Sequence, residues 1–204
     1  MKFICPTTIC LSGITQAGKS FWLRRLLKHR QTLLDPPPKK VMYCYGVWQP
    51  AFEDMDVTFH ENLPTDEEVD QFADGSHCMI ILDDLMQEVV QSDRVQRLFV
   101  RGSHHKNITV VYVNQNLFQQ GKCARTINLN SHYLVLFRNP RDFSQIQYLG
   151  RQIGLGKTLV EAYQDCMKEQ YNYLLVDLSP HSISKYKLFS HIFPDEDTVA
   201  YQPL

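Results

Sequence analysis

The sequence predicts an α/β domain with a mostly parallel sheet and helices on both faces, and three observations predict it. Short apolar runs bounded by turn residues alternate with amphipathic segments along most of the chain. The octapeptide Gly13-Ile14-Thr15-Gln16-Ala17-Gly18-Lys19-Ser20, which fits G-x-x-x-x-G-K-[ST], separates the first apolar run from the first amphipathic segment. A later apolar run, Cys78–Leu82, ends in the acidic pair Asp83-Asp84.

The elements follow in order. Thr7–Ser12 is a strand, and Ser20–Arg30 a helix whose Trp22, Leu23, Leu26 and Leu27 form one stripe. Asp35-Pro-Pro-Pro-Lys39 stops that helix, because consecutive prolines fit neither a helix nor a central strand. Val41–Val47 is the next strand. The acidic stretch Glu53–Gly75 carries few apolar residues and reads as a surface connection with one short helix. After the strand Cys78–Leu82 comes a helix over Leu85–Arg101, interrupted near Asp93, and then the strand Ile108–Val113. His132–Arg138 is a further strand. Asp142–Ile153 is a helix behind an Asp142 cap, with Phe143, Ile146, Leu149 and Ile153 at helical spacing. A helix around Thr158–Lys168 and a strand over Tyr171–Leu178 complete the pattern.

At 204 residues, with 44% hydrophobic and 21% charged, the chain suits one folded domain and neither a disordered nor a fibrous protein. The expected division is one domain over 1–193 and a tail over 194–204. No apolar run approaches the ~20 residues of a membrane span, so an intracellular, soluble protein without membrane insertion is expected. The six cysteines show no C-x-x-C spacing and read as reduced, mostly buried thiols.

The net charge of −1 conceals segregation. Val41–Asp93 holds thirteen acids and no Lys or Arg, whereas Arg94–Lys157 holds ten Lys or Arg against Asp142 alone. If the basic side chains share a face they can meet phosphates. They can equally neutralise the acidic block across the fold or between subunits.

The octapeptide carries the clearest chemistry. Its glycines let backbone N–H groups close around phosphate oxygens, and the helix that follows aims its positive dipole end at the same charge. Gly13 to Ser20 are therefore the expected ATP-binding residues, with Lys19 on the β- and γ-phosphates and the Ser20 hydroxyl on Mg²⁺. Asp83 is the candidate for the Mg²⁺ shell and Asp84 for the base that polarises water, although two acids can also cap the following helix. An adjacent acid argues for hydrolysis by an additional-strand type NTPase. N-K-x-D, the guanine-reading motif of GTPases, does not occur, which favours adenine.

Ile108–Val113 ends in Asn114-Gln115-Asn116. Gln115 is the candidate sensor, since its amide can donate to phosphate and accept from water. The same cluster could instead form a turn. Arg101 is a candidate finger for a neighbouring subunit's ATP, with Arg125 and Arg138 as rivals. The adjacent pair His104-His105 has no further ligand spacing and is not expected to bind metal.

Together the phosphate loop, Leu-Asp-Asp-Leu-Met (82–86), Arg-Gly-Ser-His-His-Lys-Asn-Ile (101–108), Asn-Gln-Asn-Leu-Phe-Gln-Gln-Gly-Lys (114–122), Ala-Arg-Thr-Ile-Asn-Leu-Asn-Ser-His-Tyr (124–133) and Phe-Arg-Asn-Pro-Arg-Asp (137–142) resemble the DNA-packaging ATPases of the FtsK–HerA superfamily. The likeness is greatest to those of Polinton/Maverick elements, adintoviruses and virophages, and extends more distantly to poxviruses. The resemblance implies a RecA-like core, a homo-oligomeric ring with ATP between neighbours, and movement of double-stranded DNA into a capsid. It maps the sensor onto Gln115 and makes Arg101 the better finger candidate. Many members of the superfamily have Glu where this chain has Asp84. Two rival functions are a nucleotide-gated assembly protein with little turnover and a small-molecule kinase.

Overall fold

The structure is a computed structural model that describes residues 1–52, 54–102, 106–141, 143–182 and 185–202, without the side chains of 51, 101 and 102. In chain order it contains β1 (Phe3–Ile4), β2 (Thr8–Ser12), α1 (Lys19–Lys28), α2 (Arg30–Leu33), β3 (Leu34–Asp35), β4 (Lys40–Tyr45), β5 (Thr58–Glu61) and α3 (Asp66–Phe72). Next come β6 (Cys78–Asp83), α4 (Met86–Gln91), α5 (Asp93–Arg97), a π-helical turn (Leu98–Gly102), β7 (Ile108–Asn114), α6 (Ala124–Leu129) and β8 (Tyr133–Leu136). The chain ends with α7 (Phe143–Gln152), α8 (Gly156–Cys166), β9 (Leu174–Asp177), β10 (Leu188–Ser190) and β11 (Val199–Tyr201).

Nine strands form one sheet in the order β11-β10-β9-β8-β2-β7-β6-β4-β5. From β5 to β8 all neighbours are parallel. Each central strand carries side chains to two cores, because successive residues face opposite sides. Ile9 and Leu11 of β2 join Trp22, Leu23, Leu26 and Leu27 of α1 on one face. Cys10 joins Val89, Val95, Ile127, Leu149 and Leu159 on the other. Helices thus cover both faces, and the stripe expected on the first helix is the one it buries. All six cysteines are free and buried, and burial pushes the Cys10 and Cys44 thiols up to about 12, so they stay protonated.

The last expected strand, Tyr171–Leu178, is shortened to β9 and runs antiparallel to β8. The reason lies in the connection: two helices, not one, separate them, and the second reverses the direction of the first. Gly154 makes the reversal, with φ +72°. Its N–H bonds the Arg151 carbonyl while the Leu155 N–H bonds that of Gly150, the Schellman pattern that ends a helix on a left-handed residue. A Cβ on Gly150 would lie 2.9 Å from the Gly156 oxygen, so glycine sets how closely the two helices meet. Within the segment expected as a tail, β11 pairs with β10, and Asp195 and Glu196 hold Arg25 of α1. The connection 53–75 contains the expected short helix, α3, capped by Thr65 and Glu68, and also the edge strand β5. The Asp142 cap and the His104-His105 pair lie outside the described residues.

The acidic and basic blocks meet within the chain. Arg97 pairs with Asp66, Lys106 with Asp70, and Lys122 with Asp93, while Lys157 pairs with Glu161. These pairs are exposed, and each is worth about 0–1 kcal/mol. Arg94, Arg125, Arg138, Arg141 and Arg151 have no ion pair among the described residues.

Candidate functional site

The site lies along the carboxyl edge of the parallel strands. There β2 runs into the phosphate loop, and its neighbour β7 stands between it and β6, whose last residue is Asp83. Register sets the level of each group. Ser12 is opposite Asn114, which puts Gln115, one residue on, level with Gly13. Asp83 is opposite Val113, which puts Asp84 level with Asn114. The sheet therefore brings the loop, the acidic pair and Gln115 to one rim.

The loop is held by its own backbone and by the segment that follows β8. Ala17 N–H donates to the Ile14 carbonyl at 3.2 Å, and Ile14 N–H to that of Arg138 at 3.4 Å. A Cβ on Gly13 would fall 2.6 Å from Phe137 Cβ, so only glycine lets the chain pass there. Lys19 opens α1, and its Nζ donates to the Gly13 carbonyl at 2.6 Å and to that of Ile14 at 2.8 Å. Burial lowers the Lys19 pKa, while the Asp83 and Asp84 carboxylates oppose that shift. Ser20 is exposed in the first turn of α1.

Asp83 is buried, 8% exposed, and accepts a short hydrogen bond from the Tyr43 hydroxyl of β4. Burial raises its pKa; the Tyr43 hydrogen bond and Lys19 lower it, and Asp84 raises it. Burial and the same carboxylate drive the Tyr43 phenol well above its ordinary range, so Tyr43 stays the donor. Tyr43 escapes sequence reasoning, since only the adjacency of β4 and β6 brings it to Asp83.

This raised pKa gives a sign to a stability experiment. A carboxyl whose folded pKa exceeds its unfolded value stabilises the fold below the unfolded pKa, and that contribution is lost as pH rises through the folded value. Ionised Asp83 is thus a burden at neutral pH. Asp83→Asn, which keeps an acceptor for Tyr43, is expected to raise the nucleotide-free thermal midpoint by about 2–4 °C, the shift given by ~1 kcal/mol in a domain of this size. The gain should shrink as the pH is lowered toward 4. Thermal unfolding of the two proteins across that pH range checks it.

Asp84 is exposed, with φ +56°. A Cβ on Gly46 would lie 2.7 Å from the Asp84 carbonyl oxygen, so the β4 end packs directly beneath this residue. Asp and Asn tolerate the left-handed region better than Glu does. Gln115 is exposed beyond β7, whereas Asn114 is buried, donates to Cys10 Sγ at 3.1 Å and has an Oδ1 without a partner among the described residues. The backbone of Arg101 lies in the π-helical turn, and its side chain is outside the described residues. Of its rivals, exposed Arg138 adjoins the loop through its carbonyl, while Arg125 lies on α6.

Strand order, loop and acidic strand end together define a RecA-like P-loop NTPase fold of the additional-strand kind, with β7 as the additional strand. No protein-family model and no curated protein matches the chain. Solved structures do match. The chain is similar to the genome packaging NTPase B204 from Sulfolobus turreted icosahedral virus 2 in complex with sulfate, with a TM-score of 0.55, 9% identity and 97% of each chain covered. For the AMP complex of the same protein the TM-score is 0.53 and the identity 13%, over 89% of this chain and 97% of that one. B204, the DNA-packaging ATPase from Sulfolobus turreted icosahedral virus, gives 0.51 and 11%, over 97% and 98%. At such identities the likeness speaks for the fold. No helix among the described residues is long and apolar enough to cross a membrane.

Proposed function

We propose that this chain is the ATP-hydrolysing subunit of a motor that moves double-stranded DNA into a capsid, of the same general kind as the B204 packaging ATPases. The single observation that carries the reading is the placement of β7 between the phosphate-loop strand and the acidic strand, which sets Gln115, Asp83, Asp84 and Lys19 along one rim. In this reading Gly13 to Ser20 hold ATP, Lys19 stabilises charge on the transferring phosphoryl group, Asp84 accepts the proton of the attacking water, and Gln115 orients that water. Arg101 is supplied from one subunit to the next in a homo-oligomeric ring. Capsid proteins are the further partners, and the finer kinship with Polinton/Maverick, adintovirus and virophage enzymes belongs to the same proposal.

The donors present suit Mg²⁺. A hydroxyl at Ser20 and a buried carboxylate at Asp83 are hard oxygen ligands, and Mg²⁺ takes only one or two protein ligands alongside phosphate oxygens and waters. No group of three or more His, Cys, Asp or Glu able to hold a metal occurs among the described residues, which accords with a site completed by the nucleotide. When bound, Mg²⁺ neutralises phosphate charge.

The test is phosphate release from ATP with and without long duplex DNA. Stimulation by DNA is the expected result. Because four basic side chains of the 94–157 segment already pair with acids, Arg94, Arg125, Arg138, Arg141 and Arg151, which have no ion pair among the described residues, are the groups offered to phosphates. DNA binding should then be indifferent to sequence and fall with salt, with a log–log slope of about −0.9 for each phosphate neutralised. A flat salt response on long DNA would count decisively against the motor. Retention of ATP without phosphate release would instead identify a nucleotide-gated assembly protein.

A further inference from the structure

Beside the phosphate loop lies a cleft lined by Gln16, Gly18, Lys19, Ser20, Phe21 and Tyr171. Its two aromatic side chains are 63% and 58% exposed. Each is held by an arrangement that packing alone does not require. Tyr171 has φ +63°, a backbone conformation unfavourable for a bulky residue and free for glycine. That turn carries the chain over the loop, so that a Cβ on Gly18 would lie 3.3 Å from Tyr171 Cβ and 3.4 Å from its carbonyl oxygen. Phe21 immediately follows the last loop residue. Its ring centroid lies 5.9 Å from the Arg25 guanidinium, which is fixed by Asp195 and Glu196 and lies 4.0 Å over the Phe193 ring. The Phe21 ring is thus braced by the Arg25 guanidinium while most of it remains exposed.

A nucleoside triphosphate enters such a loop phosphates first, with Lys19 at the β- and γ-phosphates, so the nucleoside leaves at the α-phosphate. The exposed apolar surface there is Phe21 and Tyr171. Next to Tyr171, the polar side chains Asn172 and Glu169 are already committed. Asn172 Oδ1 accepts from Tyr173 N–H and from the Ser190 hydroxyl, its Nδ2 donates to Glu169, and Glu169 also pairs with His191.

We propose that Phe21 and Tyr171 form an aromatic clamp that binds the nucleobase through its ring faces. The inference rests on the nucleotide-binding reading above and adds the residues that hold the base. Stacking of this kind is tolerant of base identity, because every base has a π-face. Removal of either ring should therefore weaken ATP and GTP by the same factor.

Calorimetric titration of the full chain with ATP, GTP and inorganic tripolyphosphate, all with Mg²⁺, tests this. Tyr171→Ala and Phe21→Ala should each weaken both nucleotides about five- to a hundredfold and leave tripolyphosphate unchanged. Tyr171→Phe should bind as the parent does. Tyr171→Gly should lose the same affinity with a thermal midpoint no lower than the parent's, because glycine relieves the left-handed strain; this separates a lost clamp from a damaged fold. The clamp is overturned if the alanine variants bind ATP like the parent, or if tripolyphosphate weakens along with the nucleotides. A parent that binds neither ATP nor tripolyphosphate would remove the nucleotide reading itself, whereas loss of both only in Lys19→Ala would leave that reading intact.

Discussion

Lys19→Ala is expected to lower kcat/KM for ATP hydrolysis at least a hundredfold, with the fold intact. Lys19 is the cation at the head of α1, and its ammonium already brackets the loop through the Gly13 and Ile14 carbonyls. A single preorganised donor aimed at developing charge is worth about 10²–10³ in rate. The variant also leaves Asp83 and Asp84 facing incoming phosphates without the compensating positive charge of the Lys19 ammonium, whose charged form those carboxylates favour against burial. Binding should suffer together with turnover. Burial disfavours the charged form of Lys19, so its removal relieves a desolvation penalty and the thermal midpoint should move by only a few degrees. Phosphate release measured against ATP concentration, with a melting curve on the same preparation, checks both halves. A variant that hydrolyses ATP at the parental rate would show that the loop is not the site.

Asp84→Asn should separate binding from chemistry. Loss of a general base costs about 10²–10⁴ in rate. Asparagine matches aspartate in size and also accepts the left-handed conformation at φ +56°, so the fold and ATP affinity should persist. Asp84→Glu is the informative companion. It restores a carboxylate and lengthens it by one methylene, but it places a residue less suited to that conformation above Gly46, at a cost of about 1–2 kcal/mol. The expected outcome is partial turnover with a lowered midpoint. Full activity in Asp84→Asn would exclude the carboxylate as the base.

The aspartate at this position therefore has a local reason in the backbone. In the fold, residue 84 occupies a turn closed from below by the end of β4, where a short polar side chain is favoured.

Much of the site was legible because its chemistry is local. An octapeptide with two glycines and a lysine can be read without knowing its surroundings, and a five-residue apolar run that ends in two acids declares a buried strand delivering charge to a sheet edge. Helix stripes were legible for the same reason, since periodicity requires only the neighbours three and four residues away. What escaped were contacts between residues far apart in the chain. Tyr43 meets Asp83 because β4 pairs with β6, and Tyr171 reaches Gly18 because the segment ahead of β9 crosses the loop. The short strands β1, β3, β10 and β11 escaped as well, since two or three residues carry too little pattern.

The charge blocks show the same division most plainly. By itself the sequence determined that acids and bases are segregated, that a phosphate loop joins a strand to an amphipathic helix, and that an α/β sheet with both faces covered must result. Only the tertiary structure decided that Arg97, Lys106 and Lys122 face Asp66, Asp70 and Asp93 within one chain, leaving a smaller set of arginines to act elsewhere. It alone decided that β9 turns antiparallel, whereas the place of β7 between β2 and β6 is the one the additional-strand reading expects. Periodicity and local motifs follow from the backbone's short-range geometry and can be read along the chain, whereas strand direction and charge pairing depend on which distant surfaces pack together.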